Sequence, residues 1–337
     1  MLSLDIRSER WPLKEPFRIS GYVFTEAEIV FVALTQDGVT GQGEAAGVYY
    51  RKETPEMMTA QIEAARASIE ADVSRDALRE ILPTGGARNA VDCALWDLEA
   101  KRSGVPAWKT AGLKAPGITK TTFTIGADTP EKMAAVARGY APAPRLKLKL
   151  IGEDDAPRLK AVRAARPDAW IGVDGNQGFT RASLEALMPV LQETNVSLIE
   201  QPVTVGCEAE LDGLHSPIPL AADESVQGLK DIAAAKGRFD IVSIKLDKCG
   251  GLTEGLMMAR AIREQGMRPM VGCMEGTSMA MIPGCLLGQL CEFVDMDGAM
   301  FLADDRAPVV TYRDGEVICP NTGWGMPVTG EGLRAAS

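Results

Sequence analysis

Three carboxylates that each follow a short apolar segment have the residue type and spacing of a metal site. Asp174 stands in VDGNQG, Glu200 in IEQP and Asp223 in ADES. One such acid is a common helix cap, but three in succession exceed what capping requires. Oxygen ligands without histidine or cysteine suit Mg²⁺ with open coordination positions. Asn176 and Glu224, close to them in the sequence, could support the ligands.

Lysines flank these acids in the sequence. Lys147 and Lys149 lie two residues apart in RLKLKLIG, so in a strand both point to one face. Lys245 ends a later apolar segment, SIKLDKCGG, whereas Lys248 is expected on the surface or in a loop. Ammonium groups on two sides of a metal site could move a proton on or off either face of one carbon. We expect the metal and the neighbouring ammonium groups to lower the lysine pKa values.

A further pair of carboxylates, Asp295 and Asp297, occurs in FVDMDG, again on one face of a strand. The pair could bind a cationic group of a substrate, or it could cap a loop. His215, the single histidine of the sequence, is expected to be structural. Ser-His-Asp, Cys-His and His-rich zinc chemistry are therefore excluded, and acid–base work falls to other side chains.

A barrel of parallel strands would bring these residues together. Eight short apolar segments recur between residues 117 and 308, mostly with helix-like stretches between them, as in repeated βα units. Eight such units favour a closed barrel, because an open doubly wound sheet usually carries a G-x-G-x-x-G turn and none follows these segments. The carboxyl ends of barrel strands form the active site in such folds, and the acids and lysines stand at those ends.

The first 116 residues predict a separate α+β domain. Residues 1–50 alternate as strands, with a hairpin turn at Asp37–Gly38, and helical patterns run from Thr54 to Arg102. Residues 309–337 contain no ninth βα unit and are expected to pack back on this domain. The predicted fold class is α/β, a modified (β/α)8 (TIM-like) barrel over 117–308 with an N-terminal α+β capping domain over 1–116, completed by the C-terminal tail.

Composition and charge limit the classes of partner. The 36 Lys and Arg against 46 Asp and Glu give a net charge of −10, which argues against nucleic acid or an anionic membrane as partner. No apolar run reaches the roughly 18 residues of a spanning helix. The start, MLSLDIRSERW, lacks the features of a signal peptide. Seven cysteines without C-x-x-C spacing predict free thiols. We therefore expect a cytoplasmic protein.

The ordered set of motifs resembles the enolase superfamily, and within it the muconate-lactonizing-enzyme subgroup. The resemblance rests on ARNAVDCALWDLEAK, the K-x-K motif, the three acids, the D-E-S motif and IKLDKCGG, and it covers nearly the whole chain. The D-x-D motif is similar to that of dipeptide epimerases of the L-Ala-D/L-Glu type. The resemblance implies one Mg²⁺ per chain, a small dipeptide as substrate and, from the likeness alone, a homo-oligomer.

The resemblance also implies the chemistry. Lys149 and Lys245 would be the two acid/base catalysts of a 1,1-proton transfer at the α-carbon of the C-terminal residue of an L-Ala-Xaa dipeptide. Asp174, Glu200 and Asp223 would hold the Mg²⁺ that stabilises the enolate intermediate.

Further residues of the resemblance would bind the substrate. Asp295 and Asp297 would hold the α-ammonium of the dipeptide. Lys147 would contact the substrate carboxylate and tune its neighbouring lysine, and Thr124 and Cys273 would line the dipeptide site.

Cap loops around residues 17–24 and 47–53 are expected to close over the barrel and meet the side chain of the second residue. Family members that act on Ala-Glu tend to carry an arginine in the first loop, where this sequence reads FRISGYVF. Arginines would suit a glutamate side chain, and aromatic rings an apolar or aromatic one. The candidates for this contact with the second residue are Arg18, Tyr22, Phe24, Tyr49, Tyr50, Arg51 and Lys52.

Two alternative functions stay open. One is another reaction of the subgroup on the same lysine pair: cycloisomerisation, o-succinylbenzoate synthesis or N-acylamino-acid racemisation. Those substrates carry no free α-ammonium, so Asp295 and Asp297 would repel their anions. The more remote alternative is a non-catalytic ligand-binding relative. Sugar-acid dehydration and mandelate-type racemisation would usually require a histidine base on the later strands, which the sequence lacks.

Overall fold

The computed structural model describes residues 2–327 and begins with an antiparallel sheet. Its strands, in the spatial order β1–β2–β3, are β1 (Ser3–Ile19), β2 (Tyr22–Gln36) and β3 (Val39–Ala46). Asp37 and Gly38 form the turn between β2 and β3, with φ of 52° and 78°. Two consecutive positive φ values are those of a type I′ hairpin turn, so the predicted hairpin is confirmed.

Four helices follow the sheet. Side-chain oxygens cap two of them: Thr54 accepts from Met57 N at 3.3 Å, and Ser74 accepts from Ala77 N at 3.1 Å. Such caps satisfy N–H groups that have no partner within the helix. The helices, and the short strand that then leads to the barrel, are α1 (Pro55–Glu70), α2 (Arg75–Ile81), α3 (Gly86–Ser103), α4 (Ala107–Thr110) and β4 (Ile118–Lys120).

Helix α3 is buried on nearly all sides because it lies between the first sheet and the barrel. The apolar stripe that includes Val91 and Leu95 packs with the sheet. Cys93 and Trp96 belong instead to the hydrophobic core of the barrel. The helix therefore connects the two cores, a double role that a single amphipathic stripe does not reveal.

Glycines of β3 allow the backbone of α3 to lie directly against the sheet. A Cβ atom at Gly43 would lie 2.3 Å from Ala90 O and 2.6 Å from Ala94 N, and one at Gly41 would lie 2.3 Å from Ala94 O. These atoms belong to the helix backbone, which cannot move aside as the end of a flexible side chain can.

We predict that Gly43→Ala lowers the free energy of unfolding by about 3 kcal/mol, the upper part of the range for overpacking. Gly139→Ala is the control, because a Cβ atom there meets nothing within 4 Å. Gly139 also ends a helix, where alanine is favoured over glycine by up to about 1 kcal/mol. Urea unfolding measures both variants, and wild-type stability in Gly43→Ala would contradict the close packing.

Eight parallel strands form the second sheet, each paired with the next in chain order, which confirms the predicted barrel. The strands are β5 (Phe123–Ile125), β6 (Arg145–Lys149), β7 (Trp170–Asp174), β8 (Val196–Glu200), β9 (Leu220–Ala222), β10 (Ile241–Lys245), β11 (Arg268–Gly272) and β12 (Phe293–Asp295). The helices among them are α5 (Pro130–Gly139), α6 (Asp155–Ala165), α7 (Arg181–Glu193), α8 (Ile232–Ala235), α9 (Leu246–Cys249), α10 (Leu252–Glu264) and α11 (Ser278–Gly288).

The barrel is nearly closed between its first and last strands. Thr122 N, just before β5, donates to Val294 O on β12 at 3.1 Å. On β6, Leu146 and Leu148 belong to the main hydrophobic core, and the lysines between and after them point the other way, into the barrel. The alternation of side chains along β6 therefore places the K-x-K pair inside, as predicted.

The C-terminal segment packs against earlier parts of the chain. Strands β13 (Thr311–Arg313) and β14 (Glu316–Ile318) form a hairpin, and β14 pairs with β4. Trp324 Nε1 donates to Cys93 O of α3 at 3.0 Å. The contact of Trp324 with α3 supports a tail that packs back on the capping domain, whereas β4 lies within the range predicted for the barrel. The division at residues 116 and 308 stays a prediction. Residues 328–337 of the predicted tail lie outside the described residues.

All seven cysteines are free, as their irregular spacing predicted. Cys207 is exposed, and the others are buried or half-buried. Within residues 2–327, no helix combines the length and the apolar character that crossing a membrane requires.

Candidate active site

Three buried carboxylates converge at the carboxyl end of the barrel. Asp174 and Glu200 end β7 and β8, and Asp223 directly follows β9. All three are buried, and one oxygen atom of each lies within 4.8 Å of the corresponding atoms of the other two. Buried like charges at this separation need compensating cations. The group is typical of a divalent metal site with oxygen ligands.

Unsatisfied oxygen atoms fit the binding of a cation between these acids. Within the described residues, neither carboxylate oxygen of Glu200 accepts a hydrogen bond, and neither do Glu224 Oε2 and Asn176 Oδ1. Lys147 Nζ lies 2.8 Å from Glu200 Oε2 and forms an ion pair with it, without a hydrogen bond. Buried acceptors without donors are costly, and a metal ion would supply the missing partner.

Two lysines face the acids from opposite walls of the barrel. Lys149 ends β6 and Lys245 ends β10, four positions apart in an eight-stranded sheet. Lys149 Nζ donates to Asp174 Oδ2 at 2.7 Å, and Lys245 Nζ lies 2.9 Å from Asp223 Oδ2. Both lysines are buried. One ammonium group therefore stands on each side of the three acids.

Lys147 is surrounded by carboxylates. Its Nζ lies 2.7 Å from Asp295 Oδ2, 2.8 Å from Glu200 Oε2 and 3.0 Å from Asp174 Oδ2. Burial lowers the pKa of Lys147, but the carboxylates together raise it well above its ordinary value. For Lys245 as well, burial lowers the pKa and nearby carboxylates raise it above the ordinary value. The protein's own groups therefore raise the pKa of both lysines, because acids outnumber ammonium groups around each. The lowering by a bound metal stays a prediction.

The three acids have different pKa values because the lysines contact them unequally. Burial raises the pKa of Asp174, but two lysines outweigh this effect and lower the pKa to about 2. Asp223 is also buried, and its pKa is held below the ordinary value by lysines on both of its oxygens. Burial raises the pKa of Glu200, which accepts no hydrogen bond from residues 2–327, to about 7. Glu200 is thus the acid whose charge the protein compensates least.

Lys248 is buried against Asp223, so the prediction of a surface or loop lysine is wrong. It lies in the single-turn helix α9 after β10 and is 1% exposed. Its Nζ donates to Asp223 Oδ1 at 2.6 Å, to Asp223 O at 2.5 Å and to Ser243 O at 3.0 Å. The glycines that suggested a loop, Gly250 and Gly251, end α9 at φ of 83° and 115°.

Asp295 is already paired within the protein. Its Oδ2 accepts from Lys147 Nζ, and its Oδ1 accepts from Thr122 Oγ1 at 2.5 Å. Cys273 Sγ lies 3.4 Å from the backbone oxygen of Asp295. The first acid of the D-x-D motif is therefore held by a lysine across the barrel.

Asp297, in contrast, has no lysine or arginine partner within residues 2–327. Its Oδ2 accepts from the backbone N–H of Thr124 at 2.6 Å. Burial, and then the charge of Asp295, raise the pKa of Asp297 to about 7. The structure thus divides the D-x-D pair into one compensated acid and one acid available to a cation.

Four aromatic rings meet where the tip of the first hairpin approaches a 3₁₀ turn at Tyr49–Arg51. The ring of Tyr49 lies 4.7 Å from that of Tyr22, 5.3 Å from that of Phe24 and 5.1 Å from that of Tyr50, between centroids. Burial, and then the charge of Glu224, raise the pKa of Tyr49, whereas Lys245 lowers it. The aromatic group therefore extends to the edge of the acid and lysine cluster.

The expected loop at residues 17–24 consists mostly of strand. Strands β1 and β2 continue to Ile19 and from Tyr22, leaving a two-residue turn between them. Arg18 is exposed beside a cavity of about 670 Å³ between β1 and α5, and its carbonyl accepts from Ala127 N at 2.9 Å. Arg51 Nη2 donates to Thr84 O at 3.2 Å. Neither guanidinium belongs to the aromatic group.

Gln201 is a positioning residue that the sequence did not single out. Its Oε1 accepts from Asp223 N at 2.9 Å and from Ser225 N at 3.1 Å, and its Nε2 donates to Val203 O at 2.9 Å. The available signal was its place directly after Glu200 at a strand end. Thr122, which holds Asp295, precedes β5 in a run of threonines and carries no comparable signal.

Comparisons with known proteins agree with this geometry. The mandelate racemase / muconate lactonizing enzyme N-terminal domain matches residues 1–112, and the enolase C-terminal domain-like family matches residues 129–331. The L-Ala-D/L-Glu epimerase of Escherichia coli (strain K12) is 37% identical over 319 residues, which are 94% of this chain and 99% of that protein.

Solved structures extend the similarity to the whole fold. An enolase family member from Agrobacterium tumefaciens with homology to dipeptide epimerases, holding sodium and L-Ala-L-Glu, has a TM-score of 0.92 and 40% identity over 95% of this chain and 98% of that chain. The dipeptide epimerase of Methylococcus capsulatus complexed with Mg and L-Arg-D-Lys has a TM-score of 0.86 and 30% identity over 94% and 96%. Because these matches cover nearly all of it, the chain belongs to the mandelate racemase / muconate lactonizing enzyme family of the enolase superfamily.

Proposed function

We propose that the protein is a Mg²⁺-dependent dipeptide epimerase that inverts the α-carbon of the C-terminal residue of an L-Ala-Xaa dipeptide. The observation that carries the proposal is the placement of Lys149 and Lys245 on opposite barrel walls, with three buried acids between them. One Mg²⁺ per chain would be held by Asp174, Glu200 and Asp223. The dipeptides held by the Agrobacterium and Methylococcus relatives support a dipeptide as substrate.

The proposed reaction moves one proton across a single carbon. One lysine, in its neutral form, accepts the α-proton, and the ammonium group of the opposite lysine delivers a proton to the other face. When bound, Mg²⁺ would neutralise carboxylate charge beside the lysines and stabilise the enolate formed as the proton leaves. The first lysine ends protonated and the second neutral, so the pair is set for the reverse reaction and returns to its starting state by exchange with water.

The α-ammonium of the dipeptide is assigned to Asp297 in this proposal. Asp295 already pairs with Lys147. Asp297 accepts a hydrogen bond from the backbone N–H of Thr124 but has no lysine or arginine partner within the described residues. An ammonium group there would compensate a buried carboxylate, and an N-acyl substrate would not. This difference favours a dipeptide over the N-acylamino acids and succinylbenzoate precursors of other subgroup reactions.

We predict that Asp297→Asn raises the KM for the dipeptide by about 100-fold, because one buried charge-assisted contact is lost. The kcat should change by a smaller factor. In the wild type, kcat/KM should fall as the pH drops below about 7, because Asp297, with a pKa of about 7, is then protonated before substrate binds. Asp305→Asn, at an acid that caps α11 through Ser278, is the control. A wild-type KM in Asp297→Asn would contradict the assignment.

The second residue of the dipeptide is proposed to meet the aromatic group of Tyr22, Phe24, Tyr49 and Tyr50. Comparison of the rates with L-Ala-L-Phe and L-Ala-L-Glu distinguishes a preference for an aromatic second residue from a preference for an acidic one. Preference for phenylalanine would support contact with the rings, and loss of that preference in Phe24→Ala would place the contact. Preference for glutamate, abolished in Arg18→Ala, would assign the side chain to Arg18 instead.

The function is tested by incubating the protein with Mg²⁺ and a library of L-Ala-L-Xaa dipeptides in D₂O. Mass spectrometry should show incorporation of one deuterium, and chiral analysis should show inversion at the C-terminal residue only. Reaction of N-acylamino acids or succinylbenzoate precursors, without any exchange in dipeptides, would overturn the proposal. Absence of exchange in every substrate class would favour a binding protein.

A further inference from the structure

Lys248 has no part in the proposed proton transfer, yet it is the most buried lysine around the metal site. It is 1% exposed, against 3% for Lys147, 6% for Lys245 and 8% for Lys149. A buried ammonium group is costly unless its hydrogen atoms find acceptors. The three acceptors of Lys248 match its three N–H bonds, and two of them belong to Asp223.

Lys248 bridges a gap in the strand pairing next to the metal site. Strand β9 ends at Ala222, and its ladder with β10 includes only Ala221 and Ala222. Asp223 therefore lies beyond the last strand pair on that side. Lys248 Nζ connects Asp223 O to Ser243 O, the carbonyls of the two residues that would form the next pair in this register. A side chain thus makes the connection between strands that the backbone does not make.

The two aspartates of the metal site are held in the same way by different groups. Asp174 Oδ1 accepts from the backbone N–H of Asn176 at 2.9 Å, while its Oδ2 faces the lysines of β6. Asp223 Oδ1 accepts from Lys248, while its Oδ2 faces Lys245. Each aspartate therefore has one oxygen tied back to the protein and presents the other to the interior. For Asp223, the group that ties it back is a side chain and can be changed by mutation.

We propose that Lys248 is a positioning residue that fixes the carboxylate of Asp223, one of the three acids that would hold the metal, with its Oδ2 turned to the barrel interior. The inference rests on the metal site of the proposed function and adds to it a residue that touches neither substrate nor metal. Partners of ligands commonly contribute about 10- to 100-fold to metal affinity.

Charge and positioning predict opposite effects of removing this lysine. Loss of a positive charge near the site would strengthen the binding of a cation, because one repulsive interaction disappears. Loss of the tether would weaken binding, because Asp223 could then rotate and the end of β9 could move. The sign of the change in affinity therefore distinguishes a positioning residue from a charge that only balances the acids.

The test compares metal binding by metal-free wild type and Lys248→Met, with Mg²⁺ in calorimetry and Mn²⁺ in paramagnetic resonance. We expect about 10-fold or greater loss of affinity in Lys248→Met, with kcat at saturating Mg²⁺ falling by a smaller factor. Lys101→Met is the matched control, since Lys101 also bridges a carboxylate and a carbonyl, on α3, at 2.7 Å from Asp97 Oδ2 and 3.0 Å from Thr40 O. Its metal affinity should equal that of wild type.

Unchanged or tighter metal binding in Lys248→Met would overturn the proposal. If that variant does not fold, Lys248→Arg replaces it, because a planar guanidinium keeps the charge but cannot serve three acceptors arranged for a compact ammonium group. Weaker binding in Lys248→Arg would support the proposal, and wild-type binding would overturn it. Failure of the wild type itself to bind either metal would instead overturn the metal site of the proposed function.

Discussion

Lys149→Ala and Lys245→Ala are each expected to lower the rate of epimerisation by about 10⁴-fold, the upper range for loss of a positioned acid or base. Each lysine serves one face of the α-carbon, so inversion requires both. Their Nζ atoms lie on opposite barrel walls, each in contact with a different acid of the metal site. The other two lysines near the acids within residues 2–327, Lys147 and Lys248, contact Asp295 and Asp223.

Exchange of the α-proton in D₂O should differ between Lys149→Ala and Lys245→Ala. Each variant retains one base, so it should exchange the α-proton of one epimer of the dipeptide without inverting it, and leave the other epimer unlabelled. Nuclear magnetic resonance of separate L-Ala-L-Xaa and L-Ala-D-Xaa samples measures this directly. Lys101→Ala should behave as wild type with both epimers, because Lys101 contacts Asp97 on α3 and none of the three acids of the metal site. Inversion at the wild-type rate in either lysine variant would contradict the two-base reaction.

The residues at strand ends were predictable because one rule of barrel folds places them. Parallel strands of a barrel direct their carboxyl ends to one face, so Asp174, Glu200 and Asp223 had to converge once the segments were recognised as strands. The period of two along β6 then placed Lys147 and Lys149 inside. These predictions need only the order of the segments and no knowledge of their contacts.

Contacts between distant strands were not predictable in this way. Lys147 pairs with Asp295 across β5, and nothing in the sequence around either residue predicts this pairing. Lys248 follows a strand and precedes two glycines, a pattern shared with loop lysines, and its burial depends on where β9 ends. The raised pKa values of Lys147 and Lys245 in the protein's own charges could not be predicted for the same reason, since they depend on how many carboxylates surround each ammonium group. Local patterns identify the elements, whereas pairing and charge balance are properties of the assembled barrel.

Glu200→Gln is expected to abolish epimerisation and to weaken Mg²⁺ binding by about 100-fold or more, since the charge of the ligands sets the affinity of such sites. The same change should raise the stability of the protein in EDTA by about 2 kcal/mol, because it removes a buried charge whose oxygens accept no hydrogen bond. Function and stability therefore oppose each other at this residue. Calorimetric titration with Mg²⁺ and thermal unfolding in EDTA measure the two effects.

Glu44→Gln is the matched control, because Glu44 is equally buried but its oxygens accept from Thr277 N at 2.7 Å and Thr277 Oγ1 at 2.6 Å, with Arg306 beside them. Burial raises the pKa of Glu44 as well, but each of its oxygens accepts a hydrogen bond, and glutamine would turn an NH2 group toward one of the donors. The substitution should therefore lower stability by about 2 kcal/mol and leave metal affinity unchanged. Destabilisation by both variants would contradict the argument that Glu200 lacks compensation within the protein.

The pH dependence of stability should identify Glu200 independently of mutation. Its pKa is raised from 4.5 to about 7 in the folded protein, so the folded state binds the proton more tightly than the unfolded chain does. The stability that this group contributes is present below pH 4.5 and is lost as the pH rises through about 7. In EDTA, wild type should therefore lose stability relative to Glu200→Gln between pH 5 and 7, and the difference should stay constant above that range. Saturating Mg²⁺ should make the wild type more stable than Glu200→Gln, because the metal binds the ionised carboxylate of the wild type and binds the amide only weakly. A difference between the two proteins that does not vary with pH would show that the charge of Glu200 is compensated by the lysines around it.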